Sequence, residues 1–125
     1  DATVPRSKIP AMVEAITRIS ERHQIDIGTF GHAGDGNLHP LIMFDERNPD
    51  EKSRVLKASS EILKLCADAG GTISGEHGVG LEKLKETSFI FCDNDLEFAR
   101  GIKKVFDPDD IINPGKLIPE PECAQ

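Results

Sequence analysis

Gly31-His32-Ala33-Gly34-Asp35-Gly36-Asn37-Leu38-His39 is the stretch that decides how this chain folds. The residues before it, 25–30, alternate apolar and polar side chains as a β-strand does, and residues 38–44 have the composition of a second strand. Glycines in such a turn let the backbone reverse tightly and approach a ligand closely. We therefore predict a tight β-hairpin with a polar turn, in which Pro40 makes the second strand an edge strand or irregular at its start.

Apolar residues at helical spacing flank this hairpin on both sides. They predict a helix over residues 7–23, a second helix from the capping residue Asn48 to residue 69, and a third capped by Asn94 that runs through residue 106. Residues 72–74 favour a short strand and residues 81–86 a short helix. The buried stripe of the second helix is predicted to consist of Val55, Ala58, Ile62, Leu65, Cys66 and Ala69.

The element order α-β-β-α-β-α-α predicts an α+β fold. We expect one domain over residues 1–118 and a flexible tail over residues 119–125. The opening residues, Asp1 to Pro5, are expected to lie inside a larger protein, of which this chain is a fragment.

Composition and charge exclude several classes of partner and location. The chain has 125 residues, a formal net charge of -7 and no apolar run of the ~20 residues that cross a bilayer. The acidic balance argues against nucleic acid as a partner, because phosphate contacts need a basic face. The 3 cysteines lack the spacing of a disulfide framework or a zinc site, which favours reduced thiols and a cytoplasmic location.

Three of the 4 histidines lie in glycine-bounded turns. The spacing of His32 and His39 suits two metal ligands on the two limbs of a hairpin, and Glu76 can supply an oxygen ligand from another turn. Such a set leaves coordination positions open and suits Zn, Mn, Fe or Co. The alternative is that these histidines only form hydrogen bonds within their turns. The fourth, His23, is expected to be a solvated residue at a helix end.

His77 is the candidate for acid–base chemistry. Imidazoles titrate near neutrality, so they can take up a hydroxyl proton and return it. Adjacent side chains point in different directions, so Glu76 can bind a metal while His77 faces a substrate; the plainer role for His77 is a hydrogen bond within its turn. Asp35 and Asn37 favour structural roles in Asx-turns. Arg6, Lys8 and Lys116 are cations that can bind a carboxylate, Arg6 with a bidentate guanidinium. The plainer role for each is a solvated surface charge.

Three motifs in this order resemble those of one family: GHAGDGNLH at residues 31–39, GGTISGEHG at residues 70–78 and NPGK at residues 113–116. They resemble the C-terminal domain of FAD-linked oxidases, the group that holds the glycolate oxidase D subunit, D-lactate dehydrogenase and D-2-hydroxyglutarate dehydrogenase. The similarity runs from Val4 to Lys116. It implies a ferredoxin-like substrate or cap domain of a two-domain flavoprotein, whose other domain binds FAD.

The resemblance also implies roles for individual residues. By motif match, His32, His39 and Glu76 fall on the metal ligands of the family. His77 falls on its proposed catalytic base, and Asn113 falls in a terminal motif that returns toward the flavin.

The implied reaction is the oxidation of a D-2-hydroxy acid, of the glycolate or D-lactate type, to the 2-oxo acid. Hydride would pass to FAD, with a divalent metal (Zn, Mn or Fe) on the substrate oxygens. Arg6 resembles the glycolate and lactate branch and is expected to bind substrate. The implied partners are the small hydroxy acid and the FAD-binding domain of the same protein.

No FAD-binding motif is present in the chain, so by itself it is expected to be inactive. An uncovered apolar face is expected to favour self-association. Two other classes of function fit the polar residues as well: a metal-binding module without catalysis, and a metal-dependent hydrolase in which the same groups activate water.

Overall fold

The computed structural model of this chain describes residues 1–120 and confirms an α+β fold. The chain divides into two compact units, residues 1–77 and residues 78–125. The predicted tail over residues 119–125 lies largely outside the described residues, as does Cys123. Within residues 1–120, no helix is both long enough and apolar enough to span a membrane.

The predicted hairpin lies at the centre of the first unit. Strand β2 (Asp26–His32) pairs antiparallel with strand β3 (Asn37–Met43). In this register Phe30 lies opposite His39, and the last residue of β2 lies opposite the first residue of β3. Both predicted strands are therefore confirmed.

A third strand of two residues completes the sheet. Strand β1 (Ala2–Thr3) pairs antiparallel with β3, which places β3 between β1 and β2. Two residues are too few to show alternation, so the sequence pattern did not reveal this strand. Its partners in β3 are Asn37 and Leu38. Among the described residues, Pro40 therefore has a strand partner only in β2. Its other side is a sheet edge, which suits proline because proline has no amide hydrogen to donate to a neighbouring strand.

The strand predicted over residues 72–74 is wrong. Thr72 forms only an isolated bridge to Thr3, in which each backbone amide donates to the other residue's carbonyl at 3.1 and 2.9 Å. This single bridge attaches the segment before the second glycine-bounded turn to β1.

Two long helices pack against each other in the first unit. Helix α1 (Ile9–His23) follows a 3-10 turn, and helix α2 (Pro49–Asp68) begins after Asn48, whose side chain accepts hydrogen bonds from the amides of residues 50 and 51 at 3.2 and 3.3 Å. The predicted cap is confirmed. The buried residues are Met12, Ile16 and Ile19 of α1 with Val55, Ala58, Ile62, Leu63 and Cys66 of α2. The predicted stripe is therefore wrong at Leu65 and Ala69, which are only half-buried, and it missed Leu63.

The end of α1 is attached to α2 by charged side chains. The His23 side chain is only 18% exposed, and its Nε2 lies 3.0 Å from Oε2 of Glu61. The other carboxylate oxygen of Glu61, Oε1, pairs with Arg22. Contact with His23 is the main reason that the pKa of the Glu61 carboxyl is lowered. The expectation that His23 is solvated is therefore wrong.

Between residues 78 and 120, the second unit contains one long helix, α3 (Asp93–Phe106). Its N-cap is Cys92 rather than the predicted Asn94, because the Asp95 carboxylate accepts a hydrogen bond from the Cys92 amide at 2.9 Å and closes a capping box two residues earlier. A 3-10 helix, Lys85–Phe89, replaces the helix predicted over residues 81–86. Acidic and amide side chains follow one another over residues 93–95, so the sequence is compatible with more than one N-cap for α3.

The hairpin turn contains a glycine that no other residue can replace without strain. Gly36 has a φ of +80°, and a Cβ at this position would overlap the carbonyl oxygen of Val4. Its own carbonyl accepts a hydrogen bond from the Val4 amide at 3.0 Å. Gly34, in the same turn, has an ordinary φ and open space around it.

We expect Gly36→Ala to lower the free energy of unfolding by more than about 1 kcal/mol, because it combines positive φ with a backbone clash. Gly34→Ala is the matched control and should change stability by less than about 0.5 kcal/mol. Urea unfolding of the two variants measures the difference. Equal stability of the two would contradict the close approach of the turn to Val4.

Candidate active site

The hairpin register brings two histidines to one face of the sheet. His32 pairs with Asn37, and His39 follows Asn37 by two residues, so the two imidazoles are diagonal neighbours on the same side. Their ring centroids lie 5.3 Å apart at an interplanar angle of 85°. The sequence prediction that these residues lie on the two limbs of a hairpin is confirmed.

Glu76 joins the two histidines from the glycine-bounded turn of residues 75–78. Its Oε1 lies 3.2 Å from Nε2 of His39 and 3.7 Å from Nε2 of His32. The three potential ligand atoms all lie within 4.8 Å of one another. Among the residues that the structure describes, this set is the one with the spacing of a metal site.

His77 lies beside this cluster and not away from it. Its ring stacks on that of His39 with centroids 5.2 Å apart and an interplanar angle of 20°, and its Nε2 lies 3.7 Å from Oε1 of Glu76. The expectation that adjacent side chains point in different directions is therefore wrong here. One carboxylate oxygen of Glu76 faces the Nε2 atoms of three imidazoles.

The environment of His39 differs from that of its neighbours. Its side chain is only 11% exposed, whereas that of His32 is 55% exposed. Burial lowers the pKa of the His39 imidazole, and the Glu76 carboxylate opposes this by raising it. A neutral imidazole keeps a lone pair on one ring nitrogen, which is the form that binds a metal ion.

Asp1 contacts this site, although no pattern in the sequence indicates such a contact. Its Oδ2 accepts hydrogen bonds from the amides of Gly75, Glu76 and His77 at 2.7, 2.6 and 3.0 Å. A turn with glycines and successive amides predicts an anion-binding concavity. It does not indicate which carboxylate, more than 70 residues away in the chain, fills it.

Asn37 has a structural role, though not the predicted one. It is buried, and its Oδ1 accepts a hydrogen bond from the Thr3 hydroxyl at 3.2 Å, so it connects β1 to β3. Gly75 lies against both residues. A Cβ on Gly75 would lie 2.5 Å from Oγ1 of Thr3 and 2.7 Å from the side chain of Asn37, so the close approach of this turn to the hairpin requires glycine.

The three histidines of the cluster and Glu76 line a cleft of about 500 Å³, a volume that suits a small ligand. Its walls combine these polar groups with apolar and backbone surface. The lining residues are Asp1, Phe30, Gly31, His32, His39, Pro40, Leu41, Glu76 and His77.

Of the two remaining predicted site residues, Arg6 lies in the first unit and Asn113 in the second. Arg6 is exposed in the 3-10 turn before α1 and is not among the residues that line the cleft. Asn113 belongs to the second unit, where it has a φ of +47° and its Oδ1 accepts a hydrogen bond from Lys116 at 3.3 Å. It lines a separate, mainly apolar cavity of about 1060 Å³ in that unit. Their roles as substrate and cofactor contacts stay predictions.

Comparison with known proteins identifies the same family as the three sequence motifs do. The family described as "FAD linked oxidases, C-terminal domain" matches residues 1–117. "Glycolate oxidase subunit GlcD" of Escherichia coli (strain K12) is 43% identical over 126 aligned positions, which cover 100% of this chain and 25% of the relative. The protein of the same name from Bacillus subtilis (strain 168) is 49% identical over 117 residues, 94% of this chain and 25% of the relative.

A second group of relatives carries other names. "D-lactate dehydrogenase" of Archaeoglobus fulgidus is 41% identical over 120 residues, covering 94% of this chain and 26% of the relative. "D-2-hydroxyglutarate dehydrogenase" of Stutzerimonas stutzeri (strain A1501) is 36% identical over 121 residues, 94% of this chain and 26% of the relative. The chain thus spans about a quarter of the length of the curated relatives it matches.

We expect the His39 imidazole of metal-free protein to titrate below the pH range of an ordinary solvated histidine. Glu76→Gln should lower this pKa further, because the carboxylate charge is what opposes the effect of burial. Long-range nitrogen–proton NMR of the ring measures both values. Glu14→Gln, which removes an exposed carboxylate paired with Arg18, is the control. A higher pKa in Glu76→Gln would contradict the placement of Glu76 beside His39.

Proposed function

This chain belongs to the family of C-terminal domains of FAD-linked oxidases, and from that premise we propose that it is the substrate- and metal-binding part of an FAD-dependent dehydrogenase or oxidase. The proposed reaction converts a D-2-hydroxy acid, of the glycolate or D-lactate type, to the 2-oxo acid. The observation that carries the proposal is the convergence of His32, His39 and Glu76 within 4.8 Å, with His77 beside them.

The donor set fits a divalent metal. Two imidazole nitrogens and a carboxylate oxygen are ligands for Zn, Mn or Fe, and three protein ligands leave positions open for a substrate. The partly buried His39, whose pKa is lowered by that burial, supplies a neutral imidazole donor, and the half-exposed Glu76 supplies a charged one. A bound metal would act as a Lewis acid on the hydroxyl and carboxylate oxygens of the substrate and lower the pKa of the hydroxyl.

His77 is proposed as the general base. It stacks on His39 and is 61% exposed, so its Nε2 can take the hydroxyl proton of a substrate held in the cleft. Bound FAD would supply the oxidant by accepting the hydride from Cα at N5. With the O–H proton held at Nε2 of His77 and the hydride taken up by a bound flavin, the substrate would be left as the 2-oxo acid.

The remaining groups of this chain would orient the substrate. The cleft of about 500 Å³ has an apolar wall at Phe30 and Leu41 beside the imidazoles, which suits a small hydroxy acid with a short side chain. Arg6 is proposed to bind the substrate carboxylate, and Asn113 to contact the flavin. The FAD-binding domain of the same protein is the proposed partner of this chain.

The metal assignment predicts the outcome of a titration. Metal-free protein should bind one Zn²⁺ or Mn²⁺ per chain by isothermal calorimetry. His39→Ala, His32→Ala and Glu76→Gln should each weaken binding by on the order of 100-fold or more, since loss of a residue that merely supports a ligand already costs about 10–100-fold.

His23→Gln is the matched control, because it removes the one histidine placed on Glu61 at the end of α1. It should bind metal as the wild type does. Loss of affinity in His23→Gln equal to that in His39→Ala, or no stoichiometric binding by the wild type, would count against the site.

The base assignment is tested in the full-length, flavin-loaded protein. His77→Ala should lower kcat for glycolate or D-lactate by about 10²–10⁴-fold, the usual cost of losing a general base, and metal content by elemental analysis should be unchanged. His23→Gln should keep full turnover. If His77→Ala loses the metal while its metal-loaded fraction turns over normally, His77 is a ligand. If none of a panel of 2-hydroxy acids bleaches the flavin, the proposed reaction is wrong.

A further inference from the structure

The contacts of Asp1 point to a role that the proposed reaction leaves open. We propose that Asp1 is a positioning residue that holds Glu76 and His77 in the cluster, an inference that rests on the function proposed above. Its side chain is fully buried, and its Oδ2 accepts hydrogen bonds from three consecutive amides, those of Gly75, Glu76 and His77, at 2.7, 2.6 and 3.0 Å.

These three amides form a concavity that favours a negatively charged group. Successive N–H groups directed at one acceptor make such a site, and hydrogen bonds to an ionised carboxylate are stronger than those to a neutral oxygen. The hydroxyl of Ser74 lies 3.3 and 3.4 Å from the two carboxylate oxygens of Asp1. The carboxylate therefore contacts four consecutive residues of the turn, and the turn includes both functional side chains.

Asp1 also connects this turn to the hairpin. It directly precedes β1, whose residue Thr3 forms the backbone bridge to Thr72 and donates its hydroxyl to Asn37. Strand β1 pairs with β3 next to His39. The chain of contacts from the turn through Asp1 and β1 to β3 fixes how far Glu76 lies from His39, which is 3.2 Å between Oε1 and Nε2.

The imidazole of His77 lies between two carboxylates. Its Nδ1 is 3.8 Å from Oδ1 of Asp1, and its Nε2 is 3.7 Å from Oε1 of Glu76. Because the carboxylate of Asp1 is already occupied by turn donors and its side chain is buried, we expect Asp1 to affect a substrate through the positions of Glu76 and His77. A displaced turn would move a metal ligand and the base together.

The test uses Asp1→Asn, which keeps the shape of the side chain but removes its charge and one acceptor oxygen. The control is Asp35→Asn, the same change at an exposed residue in the turn between His32 and His39. Each variant is titrated with Zn²⁺, and its absorption spectrum with bound Co²⁺ is recorded, since this spectrum reports ligand geometry. Thermal unfolding in chelator shows which variants are folded.

We expect Asp1→Asn to bind Zn²⁺ about 10–100-fold more weakly, with an altered Co²⁺ spectrum, and Asp35→Asn to match the wild type. Unchanged affinity and spectrum in folded Asp1→Asn would overturn the positioning role and leave the proposed function standing. Absence of stoichiometric metal binding in the wild type would overturn the proposed function, and with it the role of Asp1 toward the metal.

A measurement on the wild type decides the matter if Asp1→Asn does not fold. Gly75, Glu76 and His77 are exposed residues, so their amides should exchange rapidly with solvent unless Asp1 accepts hydrogen bonds from them. We expect slow hydrogen exchange at these three amides in metal-free protein. Rapid exchange at all three would overturn the inference.

Discussion

The antiparallel register of β2 and β3 is the constraint on which the rest of the site depends. Paired residues point to the same face of a sheet, and residues two apart return to that face, so pairing His32 with Asn37 also places His39 on the side of His32. A shift of one residue would send one imidazole to the opposite face. The left-handed backbone of Gly36 helps to set this register by closing the turn against Val4.

The second constraint is the close approach of the Glu76 turn to the hairpin. Within residues 1–120 no regular strand holds the turn there. It is attached by the hydrogen bonds of three turn amides to Asp1 and by the backbone bridge between Thr3 and Thr72, and the absence of a side chain at Gly75 lets it approach Thr3 and Asn37. These contacts bring together segments that are far apart in the chain. Burial of Asn37 and partial burial of His39 beside them give the contacts a defined geometry, because buried polar groups need fixed partners.

The site combines one largely shielded imidazole, that of His39, with more exposed polar side chains. His39 is shielded by Phe30, whose ring centroid lies 5.3 Å away, and by the stacked ring of His77. The side chains of His32, Glu76 and His77 are about half exposed and open to the cleft. This arrangement fixes one donor while the others remain accessible to a small ligand.

The sequence by itself determined the hairpin, the two long helices of the first unit, the cap at Asn48 and the identity of the residues in the polar turns. These features follow from local periodicity, glycine and capping preferences, which act over a few residues. Only the tertiary structure decided that β1 pairs with β3, that His77 stacks on His39, that α3 begins after Cys92 and that Asp1 holds the Glu76 turn. The first, second and fourth of these contacts join residues that are dozens of positions apart in the chain. The start of α3 depends on which of several adjacent acidic or amide side chains completes a hydrogen bond. Local patterns carry no information on such pairings, since they arise from packing and hydrogen-bond geometry that exist only once the chain has folded.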